Sequence, residues 1–461
     1  MRVLILGGEG REHAFAWKLQ GENKVEKIFA APGNAGIAEE AEIAGIDITD
    51  SEEIVRFVEN KGIDLTITGG QELSDRGSLD SLKHSGCKVL GPGQEAGKLV
   101  NDNLRKRRFL LSKDIPAVDC GMFSQSENAR KYLEEADYPL QIRPARSASG
   151  HQANQHDQPV SATTKTEALE VVERFIQEKP EIPDQNEKSS ETDTADVLIE
   201  EIPEGERVSV FALADGNIIL PFSSARIHRA VFEGGEGALT PGMGGYSPLP
   251  SVSFQTDKII YQDIMLPLLA GLKQRDFSHK GFIAAEVIIT EQGPRLVDFQ
   301  LNLPSTAAVT IIPRLDDSLS KLFQQAAAGS IQNKQITWSH NTAVSIVVTS
   351  GGYPLMHEED FIIRGLDSIS GEDTRVFHIS TRKEEDNILT DGGRVLAVTA
   401  LAEGHFAAVD RVNRCLDELD FQDMHYRTDI GSGAVLDVSL EEIREEEMEE
   451  DEERLFEGDW D

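Results

Sequence analysis

Three oxygen-bearing side chains on two neighbouring segments suggest the first chemistry in this sequence. Asp298 and Gln300 lie two residues apart in the apolar run 296–301, so their side chains leave the same face of the strand that this run predicts. Glu286 lies in the preceding β-rich run 285–290, and the turn-forming residues between the two runs predict a hairpin. Three oxygen ligands on one hairpin can bind a hard cation such as Mg²⁺. On spacing alone, the alternative is that these polar side chains face solvent on a half-buried strand.

The composition predicts a large globular chain in a reducing compartment. With 461 residues, of which 39% are hydrophobic and 39 are glycine, we expect roughly two to four loop-rich domains rather than a disordered chain. The first apolar run stops at Gly7, which indicates a buried strand rather than a signal peptide, and no apolar run approaches the length of a membrane span. Cys87, Cys120 and Cys415 have no metal-binding or disulfide spacing, so we expect a cytoplasmic protein.

The formal net charge of −36 limits the classes of partner. Residues 441–461 contribute −11 of it, and the remaining −25 is spread over the body of the chain. Phosphate binding on a large scale needs a basic face, so this charge argues against nucleic acids and anionic membranes as partners. It is typical of proteins from a salty cytoplasm, although an ordinary acidic protein with an acidic tail fits equally well. We expect the tail to be disordered because its like charges repel.

The N-terminal part predicts a ligand-binding edge of a parallel sheet. A buried strand at residues 2–7 leads into Gly7-Gly-Glu-Gly-Arg-Glu-His13 and a helix, and further strands follow near residues 27, 63 and 87. Strands that alternate with helices predict a doubly wound sheet, whose ligand binds at the carboxyl ends of the strands. Glycines there let the backbone approach a ligand, and the helix N-terminus attracts anions. The third glycine of the dinucleotide-binding pattern is missing, so this motif alone leaves the ligand open.

Motifs along most of the chain resemble one family. They are Gly-x-Gly-Arg-Glu-His at 8–13, Ala-Pro-Gly-Asn-Ala-Gly at 31–36, Leu-Ile-Glu-Glu at 198–201, Gly-Met-Gly-Gly-Tyr-Ser-Pro at 242–248, Gly-Gly-Tyr-Pro at 351–354, Gly-Gly-Arg-Val at 392–395 and Arg-x-Asp-Ile-Gly at 427–431. In this order they are similar to the phosphoribosylamine–glycine ligase (glycinamide ribonucleotide synthetase) family of ATP-grasp enzymes. The resemblance covers nearly all of residues 1–436.

The resemblance implies a multidomain fold of the α/β and α+β classes. We expect a doubly wound substrate domain at residues 1–102 and an ATP-grasp unit at 103–332, with a small lid subdomain at about 118–196. A small C-terminal α+β domain should occupy residues 335–440, followed by the acidic tail at 441–461.

The resemblance also implies the roles of individual residues. The N-terminal positions that would contact substrate are Gly8, Gly10, Arg11, Glu12, His13, Gly33 and Asn34. Adenine would be held at Glu200, Glu201 and Ile202, the ribose hydroxyls at Glu206, and the phosphates under the loop of Gly150. Arg143 and Arg229 are the catalytic candidates, and the metal ligands would be Asp298, Gln300 and Glu286. The implied cofactors are therefore ATP and Mg²⁺.

Several ligand-facing positions depart from the family pattern. Three lysines of the family are replaced by Asn103, Arg143 and His151, and an arginine fork aims differently from an ammonium point charge. The metal strand of the family carries Glu-x-Asn where this chain has Asp298 and Gln300, and a carboxylate of the N-terminal domain has become the amide of Gln71. A magnesium site is sensitive to such displacements of its ligands.

Three functions therefore follow from the sequence. The first is the family's reaction, in which ATP phosphorylates glycine and the amine of 5-phosphoribosylamine attacks the acyl phosphate, with activity that is weak or lost. The second is a pseudoenzyme that binds a nucleotide, a phosphoribosyl compound or a partner protein. The third is an ATP-grasp ligase for another acid and amine.

Overall fold

The computed structural model describes residues 1–69, 73, 77–145, 159–177, 195–275, 277, 279–332, 335–369 and 371–432. Gln71, Gly150, His151, residues 178–194 and the acidic tail lie outside these ranges. No helix of the described ranges is both long enough and apolar enough to cross a membrane.

The N-terminal part is the parallel sheet that the sequence predicts. Its strands are β1 (Arg2–Gly7), β2 (Lys27–Pro32), β3 (Glu42–Ile43), β4 (Leu65–Thr68) and β5 (Lys88–Leu90). They pair in the order β3-β2-β1-β4-β5, and every pair is parallel. The helices between and after them are α1 (Gly10–Gln20), α2 (Ile37–Glu40), α3 (Ser51–Lys61), α4 (Ser78–His84) and α5 (Gln94–Val100). The four inner residues of β1 and all four residues of β4 are buried, as expected where helices cover both faces of a sheet.

A four-stranded sheet forms the small subdomain of the ATP-grasp part. Helix α6 (Asn103–Leu111) precedes it, and its strands are β6 (Cys120–Phe123), β7 (Leu140–Pro144), β8 (Val160–Ala162) and β9 (Val197–Glu201), in the order β6-β9-β7-β8. Helices α7 (Ser126–Glu135) and α8 (Lys165–Gln177) pack on this sheet with a separate apolar core. Because β9 pairs with both β6 and β7, the sheet extends past residue 196, where the lid was expected to end.

A large antiparallel sheet joins the rest of the chain. Its strands are β10 (Glu206–Asp215), β11 (Ile219–Ala230), β12 (Leu239–Ser247), β13 (Lys280–Thr290), β14 (Gly293–Gln300), β15 (Thr342–Thr349), β16 (Thr374–His378) and β19 (Arg394–Ala402). The order is β14-β13-β10-β11-β12-β15-β19-β16, so the C-terminal strands continue the ATP-grasp sheet through the pairing of β12 with β15. A separate two-stranded ribbon is formed by β17 (Thr381–Glu384) and β18 (Asn387–Thr390).

The remaining helices cover the large sheet. They are α9 (Phe254–Ile260), which continues through a π-helical turn at Tyr261–Met265 into α10 (Leu266–Gln274), then α11 (Ser305–Ile311), α12 (Leu319–Ala328) and α13 (His405–Leu416), with short 3₁₀ turns at Glu233–Gly235, Ile312–Arg314 and Leu366–Ser368. Two large apolar clusters lie on either side of this sheet, and both contain residues from before and after residue 340. The C-terminal part therefore shares its core with the ATP-grasp part.

The predicted hairpin is confirmed. Strands β13 and β14 pair antiparallel, with Glu286 directly opposite Asp298 and Ala284 opposite Gln300. A bulge at the next position shifts the register, so that Leu296 faces Val287. The apolar residues of β14 are buried, and Asp298 and Gln300 are half-buried on the other face. The structure thus places the two predicted carboxylates side by side.

Candidate functional site

The loops after β1 and β2 meet at the carboxyl edge of the parallel sheet. A side chain at Gly8 would lie 2.6 Å from the carbonyl oxygen of Gly33, so the close approach of these loops requires glycine. Asn34 Nδ2 donates to the carbonyl oxygens of Gly8, at 2.8 Å, and of His378, at 2.9 Å. The C-terminal strand β16 therefore closes this edge together with the two glycine loops. Gly10, the first residue of α1, packs against Val309 and Ser305 of α11.

The charged side chains of the first glycine motif are buried and mutually paired. Arg11 Nε donates to Glu12 Oε1 at 2.7 Å, and Arg11 Nη1 donates to the carbonyl oxygen of Leu303 at 3.0 Å. Glu12 accepts from the amide of Glu9 at 3.1 Å, which completes a capping box at the start of α1. Burial raises the pKa of Glu12, although Arg11 opposes the shift. These contacts fix the conformation of the loop, and the charges of Arg11 and Glu12 are satisfied by each other and by the backbone.

His13 is a neutral, structural histidine in this arrangement. Its Nδ1 accepts a hydrogen bond from the amide of His378 at 2.8 Å, which requires an unprotonated nitrogen. Burial, with the neighbouring ring of His378, lowers the pKa of His13 to about 3. The structure brings the predicted substrate residues together at one edge, and their contacts with substrate stay predictions; they are Gly8, Gly10, Arg11, Glu12, His13, Gly33 and Asn34.

The hairpin carboxylate Asp298 lies between two cations. Lys106 Nζ donates to Asp298 Oδ1 at 2.6 Å, and Arg143 Nη1 approaches Oδ2 at 3.4 Å. Arg143 also pairs with Glu200, at 2.8 Å, and Glu200 is bound on its other oxygen by Arg107, at 2.5 Å. Arg143 comes from β7 and Glu200 from β9 of the small sheet, whereas Asp298 belongs to the large sheet. These ion pairs therefore link the two sheets of the ATP-grasp part.

The second hairpin carboxylate, Glu286, is paired in the same way. Arg207 Nη1 of β10 donates to Glu286 Oε1 at 2.6 Å, and Arg229 Nη1 of β11 donates to Oε2 at 3.1 Å. We call the complete set the charged cluster; it consists of the cations Lys106, Arg107, Arg143, Arg207 and Arg229 and the carboxylates Glu200, Glu286 and Asp298. Each of the three carboxylates has two cationic partners, and Arg143 is shared.

The electrostatics of the cluster keep Asp298 and Glu286 ionised. Burial pushes the pKa of Asp298 upward, but Lys106 and Arg143 outweigh it and hold this pKa well below its usual range. The pKa of Glu286 is also lowered, because Arg229 and Arg207 together outweigh its burial and the neighbouring Asp298. Burial is likewise outweighed at Arg143, whose pKa is raised by Glu200 and Asp298.

A divalent cation does not fit the predicted metal ligands in this arrangement. Both oxygens of Asp298 and both oxygens of Glu286 already face a protein cation. Within the described ranges, no group of three or more histidine, cysteine, aspartate or glutamate side chains is arranged to hold a metal ion. A dication would have to break four ion pairs and would enter beside five positive charges. Gln300, the third predicted ligand, lies half-buried on the same strand.

The predicted nucleotide residues line the junction between the small and large sheets. Glu200 is only 2% exposed, its carboxylate faces two arginines, and its strand β9 pairs with β6 on one side and β7 on the other. The next residue, Glu201, accepts a hydrogen bond from Tyr132 at 2.9 Å. Ile202 follows the strand and is half-buried. Glu206 accepts from Ser251 at 2.8 Å and is otherwise partly open to solvent. The assignment of these side chains to adenine and ribose stays a prediction, and Gly150 lies outside the described residues.

Sequence reasoning missed Lys106, Arg107 and Arg207. One signal was present, because 105–108 is a run of four basic residues in a chain of net charge −36. Only the fold shows that α6 presents Lys106 to Asp298, which lies 192 residues later in the chain. Asn103, at the position of a missing family lysine, donates to the carbonyl oxygen of Pro144 at 3.0 Å. It therefore ties α6 to the end of β7 beside the charged cluster.

Comparison with known families identifies three consecutive matches. Residues 1–99 match the N domain of phosphoribosylglycinamide synthetase, residues 103–303 its ATP-grasp (A) domain, and residues 343–433 its C domain. A phosphoribosylamine–glycine ligase from Mesorhizobium japonicum is 32% identical over 435 residues, which cover 94% of this chain and 99% of the relative. One from Caldanaerobacter subterraneus is 30% identical over 434 residues, covering 94% of this chain and 100% of the relative.

Solved structures show the same fold. The crystal structure of a phosphoribosylamine–glycine ligase from Thermotoga maritima superposes with a TM-score of 0.74 at 20% identity, covering 93% of this chain and 100% of that one. A biotin carboxylase from Campylobacter jejuni, in complex with an ATP analogue, superposes with a TM-score of 0.65 at 14% identity and covers 96% of both chains. The predicted multidomain architecture with an ATP-grasp unit is confirmed.

Proposed function

Because the chain belongs to the phosphoribosylglycinamide synthetase family, we propose that it is an ATP-dependent ligase for glycine and 5-phosphoribosylamine. Its product is then glycinamide ribonucleotide, an intermediate of purine synthesis in the cytoplasm. The chain needs no nucleic acid or membrane for this role, and its partners are the small-molecule substrates. Cytoplasmic localisation and the absence of macromolecular partners are parts of the same proposal.

One observation carries the proposal: the charged cluster joins the two sheets of the ATP-grasp part. Arg143 of the small sheet and Asp298 of the large sheet form an ion pair, and the nucleotide-binding candidates follow directly on β9 and β10. Arg229 extends the cluster along β11 toward the glycine-rich strand β12, through hydrogen bonds with Thr240. A nucleotide held between the sheets would place its phosphates at these cations.

The proposed reaction has two steps. The γ-phosphoryl group of ATP passes to a carboxylate oxygen of glycine, which forms an acyl phosphate and releases ADP. The amine nitrogen of 5-phosphoribosylamine then attacks the acyl carbon, the C–O bond to phosphate breaks, phosphate leaves with that electron pair, and the nitrogen loses a proton. Such transfers depend on positioning and on neutralising the charge of the phosphoryl group.

The residues of this chain supply those requirements as follows. Arg143 and Arg229 neutralise phosphoryl oxygens, and Glu206 accepts from ribose hydroxyls. The backbone at Gly8 and Gly33 and the amide of Asn34 shape the edge where the phosphoribosylamine binds. No step is assigned to Mg²⁺, since its predicted ligands are paired with protein cations. Turnover should be slow, because arginine forks replace compact ammonium groups.

A coupled assay of the purified full-length chain tests the proposal. ADP formation should require both glycine and 5-phosphoribosylamine, and mass spectrometry should detect glycinamide ribonucleotide. If the protein binds ATP but forms no product even with both substrates present, the pseudoenzyme replaces the ligase as the function. ADP formation that ignores glycine but responds to another carboxylic acid would replace it with a ligase of different substrates. Arg229→Lys is the informative variant, because it keeps the charge and should retain part of the product formation.

A further inference from the structure

We propose that the charged cluster binds the polyphosphate of a nucleotide without a divalent cation, its own arginines and lysine taking the position of the metal. The inference rests on the proposed function for the identity of the nucleotide, but not for the binding itself. The ligand class is a polyphosphate anion, either ATP or inorganic tripolyphosphate.

The count of charges in the cluster carries the first step. Five cations surround three carboxylates, and every carboxylate is already paired twice, which leaves a net charge of +2. A site built for Mg²⁺ presents unpaired oxygens to the metal. This site presents unbalanced positive charge, which repels a dication and attracts a polyphosphate. In a chain of net charge −36, such a concentration of positive charge is a local exception.

The burial of the cluster provides the second step, because it gives the site a closed end and an open end. Arg107 and Glu200 have side chains only 4% and 3% exposed, so they form a fixed base. Arg207 and Arg229, at 34% and 30%, lie at the open end beside Glu286. An anion can therefore reach two guanidinium groups without opening the core of the protein.

A free donor at the closed end provides the third step. Arg143 is 6% exposed, and no described residue accepts a hydrogen bond from its Nε, although its two terminal nitrogens are both in ion pairs. A buried guanidinium N–H without an acceptor is costly, so Arg143 gains a hydrogen bond if side chains of the cluster move to bring its Nε to an oxygen of the bound anion. Planar arginine forks match the geometry of phosphate oxygens. They cannot serve as ligands of a metal, which needs an octahedron of oxygen atoms.

Calorimetric titration of the full-length protein tests the inference directly. ATP is titrated at constant ionic strength, once with excess EDTA and once with excess MgCl₂, and tripolyphosphate is titrated in EDTA. We expect ATP to bind in EDTA with a dissociation constant within about threefold of that in magnesium, and tripolyphosphate to bind at the same site by competition. ATP binding that needs Mg²⁺, or no binding in EDTA by either ligand, overturns the inference.

Two variants should change the affinity for ATP in opposite directions. Glu286→Gln raises the net charge of the cluster and should tighten ATP binding about tenfold, both in EDTA and in MgCl₂. If Glu286 held a metal, the same variant would instead weaken ATP binding in MgCl₂. Arg207→Gln should weaken binding about tenfold by the same reasoning. The matched control is Arg364→Gln, because Arg364 is an exposed arginine paired with Asp420 far along the chain from the cluster, and its affinity should not change.

The result is separable from the proposed ligase activity. Metal-independent ATP binding without glycinamide ribonucleotide formation would refute the ligase and keep the inference. Product formation that disappears in EDTA together with ATP binding would refute the inference and keep the ligase. If Arg207→Gln does not fold, as judged by circular dichroism, the sign of the Glu286→Gln effect decides by itself.

Discussion

Replacing Glu200 with glutamine should strongly lower the free energy of unfolding of the protein. Glu200 is the only carboxylate among the described residues that pairs with Arg107, at 2.5 Å, and it also pairs with Arg143, at 2.8 Å. All three side chains are less than a tenth exposed. Glu200→Gln keeps the shape of the side chain, but it leaves Arg107 with no carboxylate partner among the described residues and Arg143 with Asp298 alone.

The size of the effect follows from the burial of the pair. At about 4 Å and an effective dielectric constant of about 20, one ion pair is worth roughly 4 kcal/mol before desolvation. Breaking a buried pair by removing one partner costs about 3–5 kcal/mol, because the remaining charge stays buried. For a unit of about 150–250 residues, each kcal/mol shifts the melting temperature by roughly 2–4 °C. We therefore expect Glu200→Gln to melt about 10 °C below the unmodified chain.

Differential scanning calorimetry measures this shift, and the next residue supplies the control. Glu201 accepts a single hydrogen bond, from Tyr132, so Glu201→Gln should cost only about 1 kcal/mol. Adding Arg107→Met to Glu200→Gln should recover part of the loss, because it removes one of the uncompensated charges. A Glu200→Gln protein that melts within about 2 °C of the unmodified chain would show that the cluster is not a buried ion-pair network.

Three further results are expected. Burial lowers the pKa of His279 to about 4, so this histidine is neutral in the folded protein. Its contribution to stability is complete above about pH 6.5 and declines as the pH falls toward 4, with a loss of about 2 kcal/mol at pH 5. A His279→Gln variant should therefore show a smaller decrease in melting temperature between pH 7.5 and 5. Gly8→Ala should lower stability by more than 1 kcal/mol and weaken 5-phosphoribosylamine binding, since its new Cβ would lie 2.6 Å from the carbonyl oxygen of Gly33; unchanged unfolding in urea would contradict this contact. Asn34→Ala should cost about 1–3 kcal/mol in urea unfolding, because it removes the hydrogen bonds that Nδ2 donates to Gly8 and to His378 of β16 and the one that Oδ1 accepts from the amide of Ile37. An Asn34→Asp variant that retains full stability would argue against the role of the amide nitrogen.

Local patterns predicted the elements of this fold, and long-range pairings limited what could be predicted beyond them. The alternation of residues 285–300 and the turn between them were sufficient for the hairpin, because both signals lie within a few residues. The apolar strands and glycine turns of the first 91 residues were sufficient for the parallel sheet. The pairing of β12 with β15, which makes the C-terminal part continue the ATP-grasp sheet, joins residues about a hundred positions apart and leaves no local signal.

The same limit applies to the candidate site. The sequence placed Asp298, Gln300 and Glu286 on one hairpin, and the structure agrees. It could not show that Lys106 of α6 and Arg207 of β10 point at those carboxylates, because the contacts depend on how a helix and two sheets pack. The sequence pattern of a strand is the same whether its carboxylate faces solvent, a bound Mg²⁺ or two protein cations.

The neighbours of Asp298 and Glu286 therefore decide the chemistry of the hairpin. A carboxylate attracts a dication only while its charge is uncompensated, and each of these two is compensated by two protein cations. The excess charge of the cluster is then positive, so the ligand that completes it is an anion. Binding of a nucleotide phosphate at this position is compatible with the ATP-grasp architecture and with phosphoryl transfer at the same place. In this arrangement, side chains that the fold holds in place neutralise the phosphate instead of a bound metal. The same hairpin could bind either a metal or a phosphate. The cations on helix α6 and strand β10 decide between these two ligands.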